Sequence, residues 1–352
     1  MTGQKPETKT ATLVFEDDFE TLDFNKYLTR WWYTDPNAPG CSLPSNGELQ
    51  LYINHEGPPP LAATPWTVKD SVLSLTCAPA SPLVDDGFGN AYAYTSGMLN
   101  SYPGFWRVYG FFEARMKMPP GAGLWPAFWL LPMDGSWPPE IDVVEWLGVE
   151  PLVRHCGNHS NSGGWHWTQD GSHAIPDGSA DFHDYGVDWQ MNDISFTFDG
   201  VTVATFPTPP DMHGPMYWIL NLALGGWGGP PSDTTPFPAS LEVDWVRVYD
   251  VNPYTDEPVP PEPQPLPPGK EYPLDNPWSA IDLTGVYQPG DRVTFNFAYD
   301  FYQVIFDGFD SYVWVRQQAN LTLACVLPGR VDALGVQTPD QRGFNRGLGR
   351  RD

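Results

Sequence analysis

Residues 140 to 145 read Glu140-Ile141-Asp142-Val143-Val144-Glu145, three carboxylates interleaved with β-branched apolar residues in a stretch that prefers to be a strand. Alternate side chains of a strand share a face, so Glu140 and Asp142 point one way while Ile141 and Val143 point into a core. Glu145 is one position out of phase. A β-bulge at Val143-Val144 absorbs the extra residue and returns Glu145 to the acidic face. A strand rises about 3.3 Å per residue, which leaves Glu140 and Glu145 roughly 13 Å apart at Cα, and inward-leaning side chains can close the carboxyls to about 5 to 6 Å. That spacing suits double displacement on a glycoside, with one carboxylate as nucleophile and the other as acid/base. Crowded acids also titrate together, so one proton is held to higher pH than a free carboxylate would hold it. Two other readings of the triple stay open, a solvated acidic strand face and a calcium site built from the same oxygens.

The flanking sequence favours catalysis. Upstream runs Gly123-Leu124-Trp125-Pro126-Ala127-Phe128-Trp129-Leu130-Leu131-Pro132, and Trp137 lies three residues before Glu140. Indole faces beside paired carboxylates suit pyranose rings, whose C–H faces stack while their hydroxyls need polar partners. Trp125, Trp129 and Trp137 are therefore the candidate substrate-binding aromatics.

Further motifs follow in order along the chain. They are Phe15-Glu16-Asp17-Asp18-Phe19, Ser45-Asn46-Gly47-Glu48-Leu49, Asp181-Phe182-His183-Asp184-Tyr185, Asn221-Leu222-Ala223-Leu224-Gly225-Gly226 and Val243-Asp244-Trp245-Val246-Arg247-Val248-Tyr249. Together with E-[IL]-D-x-x-E at 140–145, this series resembles glycoside hydrolase family 16, specifically its laminarinase-like, endo-β-1,3-glucanase branch, over about residues 12 to 250. The resemblance implies a concanavalin-like β-jelly roll and a retaining endo-glycosidase. In it Glu140 is the nucleophile, Glu145 the acid/base and Asp142 the assisting carboxylate between them. It also implies an imidazole facing the cleft from the next strand, for which His155 is the first candidate and His159 and His166 compete. A structural calcium ion, away from the cleft, would use Gly47 and Asp244 with Glu16 nearby, and Asp244 could equally serve only as a local hydrogen-bond acceptor. No cofactor is expected for catalysis, since two carboxylates suffice.

Composition agrees with an all-β chain. Helical periodicity is scarce, while 40 prolines, 34 glycines and 14% aromatics suit short strands joined by turns. The clearest hairpin is Ile194-Ser195-Phe196-Thr197-Phe198-Asp199-Gly200-Val201-Thr202-Val203, alternating on both arms around Asp-Gly; Phe111 to Met118 is a second strand. Two antiparallel sheets packed as a sandwich, the concave one forming an open cleft, are the expected architecture.

The segment Pro258-Val259-Pro260-Pro261-Glu262-Pro263-Gln264-Pro265-Leu266-Pro267-Pro268 carries seven prolines in eleven positions and reads as a semi-rigid spacer. The expected organisation is a flexible N-terminus (1–11), the catalytic sandwich (12–250), a Pro-rich linker (251–272), a small β module (273–328) and a disordered, Gly- and Arg-rich tail (329–352). The C-terminal module could bind carbohydrate, dock to a larger assembly or lie as a flap on the sandwich.

With 18 basic and 43 acidic side chains the formal charge is −25, which repels nucleic acid and favours a neutral polysaccharide over a sulfated one. Four cysteines, Cys41, Cys77, Cys156 and Cys325, lack metal-ligand spacing and leave one bridge open, Cys41 to Cys77. No run of eighteen apolar residues is present, so no membrane insertion is expected, and residues 1–10 lack the apolar core of a signal peptide. An extracellular substrate then requires a lost leader, non-classical export, or carriage on a vehicle such as a phage particle. The favoured polymer is β-1,3- or mixed β-1,3/1,4-glucan. A galactan or capsule depolymerase on a phage particle, and a non-catalytic β-glucan-binding protein, are the alternatives.

Overall fold

A computed structural model describes residues 11–254 in full and, beyond them, only the backbone of seven strands between Tyr272 and Gln337. By chain contacts, residues up to Thr208 and Pro215–Thr255 form one compact unit, and Pro209–Gly214 with Asp256–Asp352 a second. The first unit contains β1 (Leu13–Asp17), β2 (Gly40–Cys41), β3 (Gln50–Ile53), β4 (Trp66–Lys69), β5 (Val72–Asp85), β6 (Ala91–Ser96), β7 (Met98–Asn100) and β8 (Gly110–Lys117). It continues with β9 (Leu124–Pro132), β10 (Glu140–Glu145), β11 (Val153–Ser160), β12 (Trp167–Ala174), β13 (His183–Trp189), β14 (Asp193–Phe198), β15 (Val201–Pro207), β16 (Met216–Leu224) and β17 (Ala239–Tyr249). Two 3₁₀ turns, Pro44–Asn46 and Gly226–Gly228, are the helical elements among the described residues, and no helix there is long and apolar enough to cross a membrane.

The strands make two sheets. The larger runs β15-β14-β13-β8-β17-β5-β6-β3-β2 with β1 on β17 and β4 on β5; the smaller runs β12-β11-β10-β9-β16-β7. The all-β sandwich expected from the sequence is present, with one departure from an all-antiparallel arrangement: β3 pairs parallel to β6. The long connection between them, which itself contributes β4 and β5, lets the chain re-enter the sheet in the same direction. The Asp199-Gly200 hairpin forms as read, joining Phe198 to Val201, with φ of 48° and 76° at the two turn residues. Two positive φ values match the right-handed twist of the flanking strands, and glycine takes the second without steric cost. Ser45 to Leu49 leads into β3 as a turn. Residues 44–46 form a 3₁₀ turn, Gly47 takes a left-handed φ of 74°, and pairing in β3 begins at Gln50.

Each sheet buries one face against the other. Phe128, Leu130, Ile141, Leu220 and Leu222 are fully buried in the smaller sheet, as are Phe112, Ala114, Met116, Val187, Val246 and Val248 in the larger. β16 is buried on both sides. Tyr217 and Ile219, alternating with the core residues, join Trp31, Cys41, Tyr52 and Met98 in a second cluster on the far face of the smaller sheet. The Cys41–Cys77 bridge that the sequence left open is absent. Cys41, Cys77 and Cys156 are free, and burial raises the first two thiols to about 12 and the third to about 11. Such thiols pack as small apolar groups and are poor nucleophiles.

The C-terminal unit has a four-stranded and a three-stranded sheet, with strands at Asp291–Asn296 and Tyr312–Gln318 among others. The flexible N-terminus, most of the linker and most of the tail expected from the sequence fall outside the described residues, and Cys325 lies on a strand, Thr322–Leu327, of which only the backbone is described. Leu220, fully buried in β16 between the sheets, gives a direct test of the core: Leu220→Ala should destabilise the protein by about 3 kcal/mol in denaturant unfolding.

Candidate active site

β10 is central in the smaller sheet, between β9 and β11, and its register breaks at one place on both sides. Against β9, Asp142 pairs with Trp129 and the next partners are Val144 with Phe128, so Val143 has no opposite number. Against β11, Asp142 faces Gly157 and Glu145 faces His155, three residues on one strand opposing two on the other. This is the bulge expected from the out-of-phase glutamate. Ile141, Val143 and Val144 are fully buried, while Glu140, Asp142 and Glu145 line the same cleft on the opposite face. The cleft offers about 330 Å³, room for a sugar-sized ligand.

Each acid has a defined partner. Trp137 Nε1 donates to Glu140 Oε2 at 2.9 Å, and Trp125 Nε1 donates to Glu145 Oε1 at 3.1 Å. His159 Nε2 lies 3.2 Å from Asp142 Oδ2 and 3.7 Å from Glu140 Oε1. Burial, then the neighbouring Asp142 carboxylate, pushes Glu140 well above the usual carboxylate range. Burial and then the Glu145 charge do the same to Asp142, and burial raises Glu145 against the opposing pull of the Trp125 N–H. Three acids in one desolvated cluster cannot all ionise cheaply, so the group retains protons that a general acid needs. Glu140 and Glu145 sit on opposite sides of Asp142, which leaves one carboxylate available for attack and one carboxyl for protonation.

The three candidate indoles all line the cleft. Besides the Trp125 and Trp137 contacts, Trp129 Nε1 donates to Asn221 Oδ1 at 2.7 Å, and Asn221 Nδ2 in turn donates to Tyr52 Oη at 2.9 Å. His155, the first imidazole candidate, does not reach the acids. Its Nδ1 lies 2.8 Å from Ser172 Oγ, its Nε2 is 3.1 Å from Glu150 Oε2, and its ring packs 4.7 Å from that of Trp227. The imidazole on the acids is His159, because the β10–β11 register sets it opposite Glu140 and β12 and the Glu150 turn draw both His155 nitrogens away. His166 backs it, with its Nε2 2.8 Å from His159 Nδ1 and its ring 5.0 Å from Trp137.

Residues from the N-terminal loops complete the cleft. Trp31, Trp32 and Tyr33 line it, Trp31 meeting Trp129 edge-on at 5.8 Å. Three consecutive aromatics, Trp31-Trp32-Tyr33, are the signal in the sequence for this wall of the cleft. Glu48 also lines the cleft; burial raises its carboxyl to about 7, and Gln50 Nε2 donates to it at 2.7 Å. Nothing in the turn-like stretch around it marks Glu48 as a cleft residue.

The calcium set does not fit. Glu16 is held by Arg247 Nε at 3.0 Å, Asp244 lies 3.4 Å from Arg115 Nε, and the Gly47 carbonyl accepts the Gly226 N–H at 2.9 Å. Two carboxylates already facing guanidinium groups would have to abandon them to hold a cation, and the glycine carbonyl is engaged elsewhere. Among the described residues, Glu140, Asp142 and His159 bring ligand atoms within 4.8 Å of one another, inside the acid cluster itself.

The family model of glycosyl hydrolases family 16 matches residues 62–247. The chain belongs to this family. Over 246 residues it is 44% identical to endo-1,3-1,4-beta-glycanase EglC of Rhizobium meliloti, covering 68% of this chain and 52% of that protein. Endo-1,3-1,4-beta-glycanase ExsH of the same organism is 41% identical, with 68% and 51% covered, so the chain spans about half the length of the curated relatives it matches. Among solved structures, the endo-beta-1,3-glucanase of Pyrococcus furiosus superposes with a TM-score of 0.58 at 30% identity, covering 68% of this chain and 95% of that one. The family 16 sandwich is thus common ground between sequence, fold and relatives.

The raised carboxyls carry a stability consequence. The folded state keeps protons that the unfolded chain has already released, so stability falls as pH climbs from the ordinary carboxylate range through the raised folded values. Glu140→Gln should therefore raise the melting temperature by several degrees at pH 8 and by much less at pH 4, read by calorimetry at the two pH values.

Proposed function

We propose that the protein is a retaining endo-hydrolase of a neutral β-glucan, with β-1,3- or mixed β-1,3/1,4-linked chains as the preferred substrate. The observation that carries the reading is the convergence of Glu140, Asp142 and Glu145 on one aromatic-walled cleft, two of them held by indole N–H groups. In the first step the Glu140 carboxylate attacks the anomeric carbon while the Glu145 carboxyl delivers its proton to the departing glycosidic oxygen. In the second, Glu145, now a carboxylate, takes a proton from water, which attacks the same carbon and releases Glu140. Inversion occurs twice, so the anomeric configuration is kept. Asp142, with His159 at 3.2 Å, holds the charge and proton balance between the two glutamates and supplies no bond to the sugar.

Support for the substrate class comes from chemistry and kinship. Trp125, Trp129 and Trp137, joined by Trp32, offer stacking faces, and hydrogen-bonding groups at Asn221 and Glu48 meet sugar hydroxyls. A formal charge of −25 and four carboxyls lining one cleft disfavour sulfated or uronic chains. Relatives named as 1,3-1,4-beta-glycanases and a 1,3-glucanase favour the two glucan linkages over galactans. We place the enzyme outside the cell, where such polymers occur.

Reducing-end release from a panel of neutral and sulfated polysaccharides tests this reading. Internal cleavage of a β-1,3- or mixed-linkage glucan with anomeric retention by NMR is expected, and Glu140→Ser should lower it by roughly 10³-fold or more. Inversion, or a Glu140→Ser variant as active as the parent, would show that the roles are misassigned; cleavage of a galactan or capsule instead would replace the substrate and keep the mechanism.

A further inference from the structure

Arg154 is fully buried, yet it belongs to none of the contacts described so far. It alternates with His155 on β11 and so points away from the cleft, into the space between the sheets. One arm of its guanidinium, Nη2, donates to the carbonyl of Val143. The other, Nη1, donates to Thr197 O at 2.6 Å, and Nη2 also lies 3.3 Å from Gly186 O. Gly186 and Thr197 are directly paired residues of β13 and β14 in the opposite sheet. The rings of Tyr185 and Phe196 each lie 6.0 Å from the guanidinium carbon. No carboxylate among the described residues pairs with this cation, and its contacts are carbonyls and aromatic faces only.

A buried cation without a counter-ion is costly, and a core of this kind would accept an apolar residue more cheaply. The position of its acceptor explains its presence. Val143 is the extra residue of the bulge, with no register partner on β9 or β11, and its carbonyl receives the Arg154 donor. A lysine has one compact donor group and cannot span the two sheets as the planar fork does.

We propose that Arg154 is a positioning residue for the catalytic acids: by tying the Val143 carbonyl to β13 and β14, its guanidinium sets the kink that returns Glu145 to the face of Glu140 and Asp142. This rests on the acid/base reading of Glu145. A misplacement of about 1 Å at a reacting group can cost 10²-fold in rate, so a strut outside the cleft can govern chemistry inside it.

The test compares two substrates in the full chain. A β-1,3-glucan needs a protonated leaving oxygen, whereas a dinitrophenyl β-laminaribioside has a leaving group that departs without one. In Arg154→Met and Arg154→Lys, kcat/KM on the polymer should fall about 10²-fold while kcat/KM on the aryl glycoside stays within about 10-fold of the parent. A purely structural role would lower both equally, and that result overturns the proposal. Glu145→Gln is the control. Should it fail to show the same contrast, the acid/base reading itself falls; should it show the contrast while the Arg154 variants lose both activities alike, only the positioning role falls. Circular dichroism identifies folded variants, and if neither Arg154 variant folds, the residue is a core strut and the proposal is wrong.

Discussion

Between Asp142 and Glu145 the central strand of the smaller sheet places two residues, Val143 and Val144, where regular alternation would place one. Strict alternation would send Glu145 into the interior, an unpaired carboxylate among Ile141, Phe128 and Leu130. The sheet resolves the conflict by letting Val143 stand without a partner on either side. Both valines then stay buried and all three acids stay in the cleft. Partners follow from this kink: the register beyond it sets His159 opposite Glu140 and His155 opposite Glu145, which decides which imidazole meets the acids.

Electrostatics in the cleft depend on the same geometry. The three carboxyls share a wall of indoles, which removes water and raises all of them, while the Trp125 and Trp137 N–H groups favour the ionised form of the outer two. Opposing influences of this kind let a cluster hold protons without becoming inert. The histidines add a donor next to Asp142, and His166 fixes the orientation of His159 through its second nitrogen.

What the sequence disclosed follows from what period and local chemistry encode. The acidic strand, the Asp199-Gly200 hairpin and β8 carry their own patterns, and each formed where alternation and turn residues place it. The bulge was legible because only one insertion reconciles Glu145 with Glu140. Choosing between His155 and His159 was not possible from spacing, since both lie four apart on one face and the decision belongs to Ser172 and Glu150 on neighbouring segments. Likewise, the Glu16, Gly47 and Asp244 set failed because Arg247 and Arg115, distant in sequence or carried on another strand, reach the carboxylates first. Trp31 and Glu48 join the cleft through loops whose path no periodicity specifies.

Stability and function pull against each other at the bulge. The acids are least favourable to the fold when ionised, the unpaired backbone at Val143 needs a donor, and the donor it has is a cation buried without a counter-ion. Any one of these would be a flaw in a sandwich selected for stability alone. They are tolerable here because β10 lies between β9 and β11, with Leu130, Phe128 and Leu220 fully buried behind it and β16 covered on both faces. A central strand can absorb a local defect that an edge strand could not, since its remaining ladder and its apolar face hold the register on either side. The position of the acids in the middle of the smaller sheet is thus as much a requirement of the kink as of the cleft.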